Sequence, residues 1–226
     1  MIYLIVVLAA ALALAGCGEG SSAEPETANG PKEEMRDLRV TLDGLAGAPN
    51  VGIIIAEAYG YFDEAGLDVL YSDPVLPVRP LPYVVGGDTE VSVSHLPEVV
   101  LAQQEGAPVV AIGSVIPETT AAFIWLPESK IKGIADLEGK TIGVPGLRFQ
   151  TRLLESLLAQ AGLTLADVKV EVVDYELVPA LTKGRVDATF GGSWSVEGAE
   201  LQAMGLNPVI TPVRDLGVPP FEELVL

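Results

Sequence analysis

From Leu38 onward the sequence alternates short β-rich runs with helical ones, with Gly or Pro at most joints, and this alternation restricts the chain to few architectures. The first cycle reads RVTL, GIIIAEAYGYF, LDVLY, EVSVS, LPEVVLAQQEG and PVVAIGSV, followed by the apolar run AAFIWL at 121–126. A second cycle reads KTIGVPG, RFQTRLLESLLAQAGL, VKVEVVD, ELVPALTKGRV, DATFGG, SVEGAELQAMGL and NPVITPV. Strands alternating with helices predict an α/β fold with a largely parallel sheet. In the first helix of the second cycle Leu153, Leu154, Leu157, Leu158 and Ala161 share one face, and Gly162 stands where a left-handed residue ends a helix. The two cycles predict a first lobe at 38–126 and a second at 127–226. Two lobes joined through strands leave a cleft, and clefts at lobe boundaries are where small ligands bind.

The two ends of the chain add expectations about place. Residues 1–16, MIYLIVVLAAALALAG, hold no charge, are short for a transmembrane helix and read as a signal peptide. Leu14-Ala15-Gly16-Cys17 resembles a bacterial lipobox, which implies a lipidated Cys17; a plain secretory leader or a short anchor is the alternative. Cys17 is the single cysteine, so lipidation leaves no thiol for a disulfide, zinc or nucleophilic chemistry. Residues 17–37 then form a Gly-, Ser-, Pro- and Glu-rich tether. At the other end FEELVL reads as a strand in mid-course, and the chain is expected to be a fragment. A formal net charge of −18 argues against nucleic acid and against adhesion to anionic lipid, so membrane attachment would come from the lipid itself.

Three strand-to-helix junctions supply candidate ligand contacts, because unpaired N–H groups and the positive end of a helix dipole meet there. In SVSHLPEVV, Ser94 and His95 precede Pro97, which suits a first helical turn. As the only histidine, His95 cannot form a His pair on a metal, and it reads either as a ligand contact or as a loop histidine bonded to backbone. In VPGLRFQTRLL, Gly146 permits close approach while Arg148 and Gln150 offer donors; Arg148 reads equally as a solvated surface charge. In FGGSWSVEGAEL, Gly191 and Gly192 allow a sharp turn and Ser193 or Ser195 can cap the helix. Trp194 and Glu197 each have two readings there: core indole or stacking face, first-turn acid or ligand acceptor. Tyr175, Thr119 and Thr120 are further candidates from neighbouring loops.

AEAYGYFDEAGLDV (56–69), VVAIGS (109–114), IADLEGKTIGVPG (134–146), LVPALTKGRVDATFGG (177–192) and LGVPPFEELVL (216–226) resemble the solute-binding proteins of bacterial ABC importers. The resemblance is to the branch of thiamine-pyrimidine-precursor binders and their sulfonate, taurine and nitrate relatives. It implies a two-lobed type II periplasmic-binding fold, with the part of the first lobe that normally returns at the C-terminus missing. It also implies a monomer outside the cytoplasm that hands one small molecule to an ABC permease and its ATPase, with no cofactor, metal or nucleic acid. In that branch the aligned Trp and Glu contact the pyrimidine ring, which points to Trp194 and Glu197. One phrase departs: GLAGAPNVG (44–52) puts Gly44, Ala46, Gly47 and Asn50 where the branch has Trp, Pro, Asn and His, leaving only Asn50 as a polar handle. The expected ligand is therefore flat and nitrogen-containing, and either it is not the standard pyrimidine or it is held differently. The alternatives are an anion of the sulfonate, taurine or nitrate kind, a pyrimidine-synthase-like enzyme and a sensory ligand-binding domain. With one histidine, no P-loop and no metal spacing, the enzyme reading finds little chemistry to use.

Overall fold

The computed structural model describes residues 35–44, 47–73 and 79–226. The expectations for the leader at 1–16, for Cys17 and for the tether up to residue 34 lie outside the described residues. The chain begins with β1 (Arg36–Thr41), two residues before the expected start at Leu38. A turn at Ala48–Asn50 leads into α1 (Val51–Ala58) and α2 (Tyr61–Glu64), followed by β2 (Leu67–Ser72), α3 (Leu81–Gly86), β3 (Val91–Ser92), β4 (Ser94–His95), α4 (Leu96–Gln104) and β5 (Ser114–Ile116). The second half holds β6 (Ala121–Trp125), β7 (Thr141–Val144), α5 (Arg148–Gln160), β8 (Lys169–Val172), α6 (Leu177–Thr182), β9 (Ala188–Ser193), α7 (Glu197–Ala203), β10 (Val209–Pro212) and β11 (Leu224–Val225).

These strands build three sheets. β2-β1-β3 is parallel, with Val40 opposite Tyr71 and Val91. The five-stranded sheet has the order β10-β6-β9-β7-β8 and is mixed: β7 runs parallel to β8 and β9, while β6 is antiparallel to β9 and β10. The third sheet is β4-β11-β5, with β11 antiparallel to both neighbours. A largely parallel arrangement was expected, and the antiparallel pairs arise where the chain crosses between halves. β6 follows β5 in sequence yet pairs with later strands, and β11 returns to lie between β4 and β5. The expected lobe boundary after residue 126 thus falls beyond a strand that pairs entirely with the second half.

Two runs read differently from expectation. EVSVS is not one strand: β3 pairs with β1, Val93 N–H bonds Thr41 O, and β4 joins a different sheet, so the chain steps from sheet to sheet within five residues. PVVAIGSV forms a strand only from Ser114; Ile112 N–H and Gly113 O bond Leu226, and Val110 and Ile112 stay exposed.

The five-stranded sheet carries most of the core. β6 is buried at all five positions, as a strand covered on both faces must be. Ala121, Phe123 and Trp125 join one cluster with Ile142, Leu154, Leu157, Leu158 and Phe190, and the Phe123 and Phe190 rings lie 4.5 Å apart. Ala122 and Ile124 face a second cluster with Leu177, Leu181 and Leu201. The apolar face of α5 is as expected, and Gly162 ends the helix region at φ +75°. Val40, Leu42, Val69, Val93 and Leu224 form the core of the first half, so a residue of β11 completes it.

Candidate ligand-binding site

Strand ends deliver side chains to one place. A cavity of about 280 Å³ is bounded by the end of β1, the turn before α1, the β4–α4 junction, the start of α5, and the stretch from Gly191 to Glu197. It lies at the carboxyl ends of β1 and β9, the edge of an α/β sheet where ligands collect. Of the residues expected from sequence, His95, Gln150, Tyr175, Gly192 and Glu197 line it together, and Thr120 joins them.

Glu197 is the first residue of α7, and its Oε2 accepts the Ser193 N–H at 2.6 Å. The carboxylate is pressed close by its surroundings: a Cβ on Gly192 would lie 3.3 Å from Glu197 Cδ and 2.8 Å from Leu177 Cδ1. Burial pushes the Glu197 carboxyl above the usual range, against the pull of the backbone hydrogen bonds. Gly191, at φ +91°, has the same kind of duty, because a Cβ there would stand 2.6 Å from the Gln150 amide. Gln150 is buried, its Nε2 donates to Gly191 O at 3.0 Å, and its Oε1 has no hydrogen-bond partner among the described residues. The glycines therefore admit two polar side chains against the strand, and Gly191 also forms a bulge in β9, skipped between the Ala122–Gly192 and Phe123–Phe190 pairs, before the strand continues to Ser193. Neither serine caps α7; Ser195 N–H bonds Ser193 Oγ within the preceding turn.

The opposite wall comes from the first half. Asp43 stands two residues past the end of β1, and Asn50 Nδ2 donates to its carbonyl at 3.1 Å. Asn50 is fully buried, is absent from the cavity lining and holds the loop that presents Asp43. Gly44 faces the Tyr175 ring, where a Cβ would lie 3.2 Å from Cε1. Arg79 sits with its guanidinium 5.2 Å from the centre of that ring, bonds Pro145 O and reaches Asp174 at 3.4 Å.

A buried charge cluster joins the two walls. His95 Nε2 lies 3.6 Å from Asp43 Oδ2, and Nδ1 lies 2.9 Å from Glu223 Oε1, off the line of the ring N–H. Glu223 Oε2 accepts from Thr119 Oγ1 at 2.6 Å and from the Thr120 N–H at 2.8 Å. Burial works against the imidazolium, but Asp43 and Glu223 outweigh it and hold the His95 pKa above its ordinary value. Burial likewise raises Asp43, with His95 and Arg79 pulling it back. Glu223 is lowered, since its bonds to His95 and the two threonines exceed its own cost of burial. The described residues hold no group of three or more His, Cys, Asp or Glu arranged for a metal.

Other expected residues fall elsewhere. Trp194 is absent from the cavity lining and 38% exposed; its ring lies under the Arg214 guanidinium at 5.6 Å, and its backbone N–H bonds Thr120 O. It occupies the turn between β9 and α7, which carries it past the cavity. Ser94 bonds Ser92 Oγ at 3.0 Å and borders a larger neighbouring cleft of about 1010 Å³, which shares Asp43, Arg79, His95 and Leu147 with the smaller cavity. Arg148 borders only that larger cleft and is paired with Glu105, both exposed. The larger cleft is mainly apolar, whereas the converging polar groups that fix a ligand belong to the smaller one. Asp43, Arg79 and Glu223 were not among the expected residues, although an acid directly after a first strand, as in VTLDG, is a readable sign.

The chain resembles known proteins in sequence and in fold. It is 31% identical to the formylaminopyrimidine-binding protein of Halalkalibacterium halodurans over 228 residues, covering 99% of this chain and 66% of that protein. It is 29% identical to a protein of Haemophilus influenzae named for thiamine biosynthesis, covering 87% of this chain and 62% of that one. The chain thus spans just under two thirds of the length of these relatives. The solved alkanesulfonate-binding protein of Xanthomonas axonopodis pv. citri superposes with a TM-score of 0.66 at 19% identity, covering 83% of this chain and 65% of that chain. That likeness establishes the type II periplasmic-binding fold. The profile of the family described as NMT1/THI5 like matches residues 49–226, and the chain belongs to that family.

Proposed function

We propose that this protein is the solute-binding component of an ABC importer, exported and lipid-anchored through Cys17, and that it captures a small, flat, nitrogen-containing molecule related to the thiamine-pyrimidine precursors. It works outside the cytoplasm as a monomer and passes its ligand to a permease driven by an ATPase. The observation that carries the ligand class is the set of acceptors around the cavity: Asp43, Gln150 Oε1 and Glu197. An amino-heterocycle supplies N–H donors to all three, and carboxylate acceptors make the stronger, charge-assisted bonds. Tyr175 offers a ring against which a flat molecule stacks. The relatives named for a formylaminopyrimidine and for thiamine biosynthesis support the same class. A sulfonate fits less well, because the cations lining the cavity are engaged: Arg79 by Pro145 O and Asp174, His95 by Asp43 and Glu223.

Thermal-shift and calorimetric screening against aminopyrimidines, alkanesulfonates, nitrate and riboflavin tests the reading. A ligand present at a hundred times its Kd stabilises the protein by about 2.7 kcal/mol. Binding of an aminopyrimidine is the expected result, and sulfonate or nitrate binding without it would sink the proposal. Membrane fractionation of Cys17→Ala, expected to release the protein, tests the anchor.

A further inference from the structure

We propose that His95 is a positioning residue for the ligand site, a bridge between two carboxylates that holds Asp43 toward the cavity and fastens it to the segments where the chain crosses between its two halves. The proposal rests on the ligand reading above only for the choice of probe.

The geometry ties four parts of the chain together. Asp43 stands two residues past β1, near the start of the loop that follows, and lines the cavity. His95 stands at the β4–α4 junction, within reach of Asp43 through Nε2 and of Glu223 through Nδ1. Glu223 lies on the returning segment before β11, its N–H bonded to Ile116 O at the end of β5. Through Oε2 it holds Thr119 and Thr120, which lead into β6. Thr120 O in turn accepts the Trp194 backbone N–H, directly after the end of β9. The segment leaving the first half and the segment returning to it are therefore gripped by one carboxylate, and that carboxylate contacts the imidazole.

His95 is suited to this because each ring nitrogen faces a different carboxylate. Its side chain is only 14% exposed, and the Phe149 ring on α5 packs 5.5 Å away. The charged groups facing it are Asp43, Glu223 and Glu98 of α4, while Arg79 and Tyr175 act on Asp43 from its other side. If the imidazole loses its proton, two carboxylates and a neutral ring remain in a buried place, and Asp43 loses the partner that fixes it. Such a bridge makes ligand affinity fall as the pH rises through the His95 titration.

His95 is the only histidine, so its ring protons give one resolved NMR titration. In the wild type the midpoint is expected above the ordinary value of about 6.5. Asp43→Asn and Glu223→Gln should each lower it. Calorimetry with 4-amino-2-methylpyrimidine should show wild-type affinity falling about tenfold from pH 6 to pH 9, and His95→Gln should bind weakly with a flat profile. A midpoint unmoved in Asp43→Asn, or wild-type affinity and pH profile in His95→Gln, overturns the proposal. The Asp43→Asn titration decides the matter by itself where His95→Gln fails to fold. A wild type that binds no aminopyrimidine while the titration responds in both variants overturns the ligand reading and supports the bridge.

Discussion

Replacing Glu197 by Gln separates ligand recognition from folding, because the two are expected to respond differently. The Ser193 N–H points at Oε2 from 2.6 Å, and the Gln amide oxygen can take that place. The amide nitrogen then stands where a second carboxylate oxygen stood, a donor facing a donor. Loss of one charge-assisted hydrogen bond costs about 1.5–3 kcal/mol, which corresponds to an aminopyrimidine Kd roughly 10- to 150-fold weaker. Stability has a different balance. Burial already raises the Glu197 pKa, so removing the charge relieves a strain on the folded state. Against this, an acid in the first turn of a helix is worth about 0.3–1 kcal/mol. The two effects oppose each other, and the unfolding free energy should stay within about 1 kcal/mol of wild type. Isothermal calorimetry and thermal unfolding on the same samples check both. The pH dependence adds a sign: a raised carboxyl pKa means that wild-type affinity is lost as pH falls through it, beginning above the ordinary glutamate range, and the Glu197→Gln substitution removes that limb. An affinity within twofold of wild type would refute the acceptor role. Affinity and unfolding temperature falling in proportion would show that Glu197 only holds the fold.

Three other outcomes follow from the same structure. Trp194→Ala should leave aminopyrimidine affinity within about twofold, and its loss of the contact with Arg214 should lower stability by about 0.5–1 kcal/mol in urea unfolding. Gly191→Ala should cost about 1–3 kcal/mol of stability and weaken binding together, since the new methyl displaces Gln150 from a backbone that is already left-handed; unchanged unfolding would contradict the geometry. His95 has a folded pKa above its unfolded value, so its contribution to stability is full below about pH 6.5 and is lost as pH rises through the folded value. Thermal midpoints between pH 5 and pH 9 should therefore decline on the alkaline side in the wild type, and less so in His95→Gln.

Much of the fold could be read from local pattern, and the exceptions share a cause. The α5 face of Leu154, Leu157 and Leu158, the stop at Gly162 and the buried run of β6 are local statements, and helical spacing or continuous apolarity expresses them directly. The partners of β6 and β11 are not local. AAFIW looks the same whichever sheet receives it, and LVL holds too few residues to signal a central strand. The site divides along the same line. Glu197, Gln150, Tyr175, Gly192 and His95 stand at junctions that punctuation reveals, and they do meet in one cavity. Trp194 lies outside the cavity lining, and a side chain in a turn does not announce which way it faces. Glu223 was hidden inside an apparent strand, and Arg79 has no motif around it. Asn50 stands behind the cavity lining, its amide bonded to the Asp43 carbonyl.

The place of β11 between β4 and β5 has a consequence for how the protein is made. Among the described residues those two strands of the first half are joined through Leu224 and Val225, so during synthesis they wait with a slot between them until β6 to β10 have left the ribosome and β11 follows. Pairings that join distant parts of a chain form late and slowly. The first half would then reach its final packing after the second, reversing the order of translation. Until β11 arrives, the unpaired edges of β4 and β5 are open to other strands, and a chaperone that shields them would raise the yield.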